Sequence, residues 1–113
     1  MKRMPAPSLL AIFLALALVF TWWSGAARAA DGKAVYESKC QICHGPGGQG
    51  DGPGAKLFKT KPKKFSDPAF WQGNVDQKIS QAITMGKGQM GKMDLSPDDI
   101  KAVSAYITQK FKP

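Results

Sequence analysis

Beyond residue 30 the apolar positions recur every three or four residues, the period of helices that bury one face. Gly32, Tyr36, Cys40 and Cys43 fall at spacings of four, four and three, which predicts a helix from about Lys33 to Ile42 with Asp31 as its N-cap. Gly45 ends it. A second helix is expected from Asn74, which pairs with Gln77 in a capping-box-like arrangement, and it buries Ile79, Ala82 and Ile83 before stopping at Gly86. The third is the most strongly marked. Ser96 caps it, Pro97 takes the first helical position, Leu95 and Ile100 form a hydrophobic staple, and Ile100, Val103, Ile107 and Phe111 make an apolar stripe with Tyr106 beside it. Between the first two helices, residues 45–73 form a long connection rich in Gly, Pro and Lys, broken by one short turn at Pro68–Trp71 behind Asp67. No segment reads as a strand, so the expected class is all-α, about three main helices with long loops.

The N-terminal 29 residues follow a different pattern. Lys2 and Arg3 precede an unbroken apolar run from Leu9 to Phe20, and Ala27-Arg28-Ala29 supplies the small-x-small motif of a signal peptidase site. Residues 1–29 are expected to be a cleavable signal peptide and 30–113 the mature domain. The alternative is a retained anchor, with Trp22 and Trp23 at the membrane interface. Either way the domain lies outside the cytoplasm, in the periplasm or a lumen-like compartment. The formal charge is +8, and about +5 without Lys2, Arg3 and Arg28. Export and the lack of a nucleic-acid motif argue against nucleic acid, leaving acidic protein surfaces or anionic membranes as partners for the basic charge. A domain this small buries only about 60–65% of its unfolded surface and gains from a staple or cofactor.

Cys40-Gln41-Ile42-Cys43-His44 holds both cysteines and the only histidine of the chain. A disulfide or thioredoxin-like redox pair is permitted by the compartment, but the βαβ pattern that accompanies such a motif is missing. Zinc asks for four ligands, and no second Cys or His pair exists. Covalent haem suits every position: two thiols three residues apart project from nearly the same side of a helix toward two vinyl groups, and the next residue offers an imidazole to iron. Of the possible sixth ligands, thioether sulfur is the natural one where there is no second histidine. Met90 lies between Gly88 and Gly91, where the backbone can bend; Met93 is constrained by the following helix cap, and Met85 lies off the buried face of the second helix.

On these residues the chain resembles the small mono-haem class I cytochromes c. GKAVYESKCQICHGPGGQGDG is similar to the opening of that family, and MGKGQMGKMDLSPDDIKAVSAYI to its closing methionine loop and last helix. The resemblance implies the cytochrome c fold wrapped around one haem c per chain, with the first and last helices crossing at Gly32/Tyr36 and Val103/Tyr106. It favours Met90 as the ligand opposite His44, although Gly91 stands where the family commonly has proline, which leaves Met93 as the alternative. It also implies a proline carbonyl supporting the histidine, with Pro53 the candidate over Pro46. Tyr36, Leu57, Phe65, Trp71 and Ile83 are expected around the haem, and the Trp71 indole N–H is a candidate donor to a haem propionate.

The function expected is that of an exported electron carrier, a monomer and not an enzyme, since no acid–base constellation is present. Lys56, Lys59, Lys61, Lys63 and Lys64, with Lys87 and Lys92, would steer it to acidic redox partners. Two other readings remain: a gas-binding or sensory haem protein with an open sixth position, and a haem subunit tethered within a larger oxidoreductase.

Overall fold

A computed structural model describes residues 2–5 and 30–113. The expected signal peptide therefore lies almost wholly outside the described residues. Among these, no helix is long and apolar enough to cross a membrane.

The first helical stretch runs from Gly32 to His44, two residues beyond its expected end, and it is not uniform. It consists of α1 (Gly32–Val35), a π-helical turn (Tyr36–Cys40) and α2 (Gln41–His44). Asp31 caps it through a bond from the Ala34 N–H at 3.2 Å, and Gly45 ends it at φ 81°. The wide turn closes with the Gln41 N–H donating to the Tyr36 carbonyl, five residues back. A π turn carries an extra residue, so the faces before and after it are offset. The stripe expected from Gly32 to Cys43 holds as far as Cys40, since Tyr36 and Cys40 share the core, while Cys43 beyond the wide turn is only partly buried.

The other caps form as local chemistry dictates. Asn74 accepts from the Gln77 N–H at 3.1 Å and opens α3 (Val75–Met85). Ser96 accepts from the Asp99 N–H at 3.1 Å and opens α4 (Pro97–Phe111). Two 3-10 turns, Pro53–Leu57 and Pro68–Trp71, punctuate the long connection, the second capped by Asp67. The methionine loop is a tight turn in which Lys87 and Met90 exchange both backbone hydrogen bonds, at 2.9 and 3.0 Å.

The core is one cluster: Tyr36, Cys40, Phe65, Ile79, Ile83, Val103 and Ile107. It forms where α1 crosses α4. A Cβ on Gly32 would overlap the Ala102 carbonyl oxygen and crowd the Tyr106 side chain, so only glycine permits this approach. Tyr36 then inserts its ring beside Tyr106 and Phe111, with centroids 5.6 and 5.3 Å away, and Val103 is fully buried. This is the helix crossing implied by the resemblance. α3 joins the pair through Ile79 and Ile83, and the buried Ser104 hydroxyl donates to Asp76 at 2.8 Å.

Replacing Gly32 with Ala tests the crossing. Alanine's propensity advantage is at most about 1 kcal/mol, whereas overpacking against backbone costs about 1–3 kcal/mol or more. A net loss of about 2 kcal/mol in denaturant unfolding is expected, and a variant as stable as the wild type would contradict the close packing.

Candidate functional site

The helix that crosses α4 delivers Cys40, Cys43 and His44 to one end of the core. Cys40 is buried and Cys43 partly so, and both are free thiols. Burial, with the neighbouring Cys43 adding a smaller effect, pushes the Cys40 thiol up to about 11. Around them the glycine-rich segment folds back closely. The Gly52 N–H donates to the Cys43 carbonyl at 3.1 Å and the Gly50 N–H to the His44 carbonyl at 2.8 Å. Side chains at Gly52 or Gly54 would collide with the Gln41–Cys43 backbone or crowd the Cys43 sulfur.

The imidazole of His44 is held from one side by Phe65. The two rings stack at 4.9 Å with planes 11° apart. Phe65 is fixed in turn: its N–H donates to the Gly48 carbonyl at 2.8 Å, and its own carbonyl accepts the Trp71 indole N–H at 2.7 Å. Lys78 reaches back to the carbonyls of Phe70 and Gln72, closing the turn that carries Trp71. Burial lowers the pKa of His44 below the ordinary imidazole range, while the Lys63 backbone opposes that shift. Its Nδ1 is buried and has no hydrogen-bond partner among the described residues.

Two expectations about this end of the molecule need correction. The segment beside the histidine is Pro62–Phe65, not Pro53. Gly48 bonds to Phe65 and Gly50 packs on the Pro62 carbonyl, stitching that segment in place, whereas Pro53 begins the 3-10 turn next to Cys43. The Trp71 N–H is engaged by the Phe65 carbonyl and is not a free donor for a propionate. Tyr36 sits in the helix crossing, its hydroxyl donating to the Gly45 carbonyl at 2.6 Å. Of the other expected pocket residues, Ile83 and Phe65 belong to the buried core, and Leu57 is 86% exposed on its 3-10 turn. Met90 and Met93 both pack partly buried against the core. Met93 is tied to α3 by its N–H to the Ile83 carbonyl at 2.7 Å, and Met85 is exposed.

The donor set fits haem c. Two free thiols stand beside a histidine whose protonation burial disfavours, and the unprotonated form is the one in which an imidazole lone pair is available to a metal. Nδ1 makes no side-chain bond among the described residues, and the Lys63 backbone lies beside the imidazole. Soft thioethers are available on the same core.

Helices, crossing and thiol–imidazole cluster together define a haem-wrapping all-α protein, and comparison with known proteins agrees. The family model described as cytochrome C oxidase, cbb3-type, subunit III matches residues 27–107. Cytochrome c6 of Chlorolobion braunii is 37% identical over 78 residues, spanning 67% of this chain and 83% of that protein. Cytochrome c6 of Leptolyngbya boryana is 37% identical over 86 residues, spanning 74% of this chain and 94% of that protein. At comparable stringency no solved structure matches. The chain belongs to the class I c-type cytochromes. It is an electron carrier and not an enzyme, its cofactor is haem c, and it acts with redox partner proteins.

The sequence pointed to the cysteines and histidine but missed the support of His44 by Phe65. The available signal was the pair Gly48 and Gly50, whose positive φ values of 68° and 71° let the chain close over the ring. Replacing Trp71 with Phe removes the indole bond that holds Phe65, and net stability should fall by about 1 kcal/mol. An unchanged denaturation midpoint would show that the bond contributes nothing to the support.

Proposed function

We propose that Cys40 and Cys43 carry the haem through thioether bonds, that His44 and Met90 are the axial ligands of its iron, and that residues 30–113 form an exported monomer in the periplasm or a lumen-like compartment. The observation that carries this reading is the half-buried imidazole, whose protonation burial disfavours, next in the chain to two free thiols. When bound, the haem supplies one-electron chemistry between ferrous and ferric iron. The chain's own part would be to keep the imidazole oriented and available, to present a thioether sulfur, and to exclude water from both. A strong ligand on each side favours electron transfer over binding of small molecules, and Met/His ligation raises the potential.

Met90 is preferred to Met93 on the resemblance, which sets the ligand in the glycine-flanked loop at that distance before the last helix. Both methionines pack partly buried on the core, and the backbone of each is held, Met90 by two bonds to Lys87 and Met93 by one to Ile83. Replacing Met90 with Ala should abolish the far-red methionine–iron absorption band. It should also lower the reduction potential by a sizeable part of the ~0.8 V that axial ligands command. Replacing Met93 with Ala should leave both nearly unchanged, and the reverse outcome would exchange the two assignments.

Partner docking is supported by a second feature near the cysteines. Ile42 is 58% exposed, and Lys56, Lys59, Lys61, Lys63 and Lys64 are all exposed in the adjoining connection. An apolar centre with a cationic rim suits a transient contact with an acidic redox partner, the charges raising the encounter rate more than the affinity. The rate of electron transfer to that partner should fall steeply as ionic strength rises through about 0.1 M, where the screening length shrinks to about 10 Å. A salt-independent rate would remove the lysines from the mechanism.

A further inference from the structure

Tyr36 is 1% exposed, and its packing against Tyr106 and Phe111 would be served equally well by phenylalanine. The hydroxyl is the part that packing leaves unexplained. It donates to the Gly45 carbonyl at 2.6 Å across nine residues. In a straight α-helix nine residues advance about 13.5 Å, more than a tyrosine side chain spans. Two departures from a straight α-helix lie in this interval: the π-helical turn that starts at Tyr36 itself, and the turn at Gly45, where the chain leaves the helix at φ 81°.

Gly45 directly follows His44, and it is tied in several other ways. Its N–H donates to the Gln41 carbonyl at 2.8 Å, its carbonyl also accepts the Gly48 N–H at 3.2 Å, and the His44 carbonyl accepts the Gly50 N–H at 2.8 Å. Gly45 itself takes φ 81°, a backbone conformation that side-chain-bearing residues rarely adopt. The peptide after the histidine is thus clamped between the helix, the glycine-rich return and the tyrosine. Burial raises the Tyr36 phenol well above its ordinary range, so the donor keeps its proton at any physiological pH.

We propose that Tyr36 is a positioning residue for the iron ligand His44: its hydroxyl, through the Gly45 carbonyl, fixes the end of the helix from which the imidazole projects, and with Phe65 stacked on the ring it sets the orientation of the imidazole plane. The proposal rests on the assignment of His44 as axial ligand. Loss of the hydroxyl would leave the aromatic packing in place while the His44–Gly45 peptide gains freedom, a change felt at the metal before it is felt in the fold.

The test is Tyr36→Phe in the haem-loaded protein, read by the paramagnetic shifts of the haem methyl groups and by the reduction potential, both of which report the orientation and strength of the axial histidine. Tyr106→Phe, which removes a hydroxyl from the same aromatic group, serves as the control. Expected is a redistributed methyl-shift pattern and a shifted potential in Tyr36→Phe, with wild-type values in Tyr106→Phe. A Tyr36→Phe protein that keeps the wild-type pattern and potential and merely unfolds earlier would make the hydroxyl a core bond only, and overturn the proposal. The chain has two tyrosines, so in the Tyr106→Phe background fluorotyrosine can be placed at Tyr36 alone. That substitution strengthens the donor without removing it and should move the methyl shifts in the direction opposite to Tyr36→Phe. If Tyr36→Phe fails to take up haem, the fluorotyrosine protein decides: an unmoved pattern overturns the proposal. A wild-type spectrum without histidine ligation would overturn the ligand assignment, and this inference with it.

Discussion

The close approach of Gly32 to the Ala102 carbonyl is the contact from which the remaining geometry follows. Because no side chain intervenes, α1 lies against the backbone of α4, and Tyr36, one turn further on, enters the space between Tyr106 and Phe111. The orientation of the first helix is thereby set at its N-terminal end, while its C-terminal end carries Cys40, Cys43 and His44 toward Phe65. A small domain has little apolar surface to spend on rigidity. Here rigidity is concentrated on one crossing and the residues it directs.

The same arrangement explains why this end of the molecule suits a one-electron carrier. Electron transfer is favoured when the ligands move little between oxidation states, which calls for side chains locked by their surroundings. His44 is held by a stacked ring and by backbone bonds on both flanking peptides. Burial disfavours its protonation. The apolar cluster that includes Ile79, Ile83 and Val103 lowers the local dielectric, one of the means by which a protein tunes a haem's potential. The exposed lysines of the long connection belong to a different task, encounter with a partner, and they lie outside the buried machinery.

What the sequence made legible, and what it did not, divides along the range of the interactions involved. Asp31, Asp67, Asn74 and Ser96 all cap as expected, because each cap is a bond between a side chain and a backbone N–H two or three residues on. The Cys-x-x-Cys-His cluster was equally plain, since its chemistry lies within five residues. The π-helical turn was not. It accompanies a bond from Tyr36 to Gly45, and the period of apolar residues does not encode it. The support of His44 was misplaced onto Pro53 for the same reason: which part of a long connection returns to the imidazole depends on glycines packing against Pro62 and Phe65, contacts that exist only after folding. The indole N–H of Trp71, expected to face a propionate, is bonded instead to a carbonyl six residues away, a contact that local sequence does not encode.

The claim on which the account stands is that the Cys40–His44 stretch is the place where the haem is attached. Proteolysis of the purified protein followed by mass spectrometry addresses it directly. The account predicts one haem on a single peptide containing both Cys40 and Cys43, with neither thiol available to alkylation, in a chain beginning near Ala30. A haem-free peptide in which the two cysteines are alkylated or paired as a disulfide would contradict it.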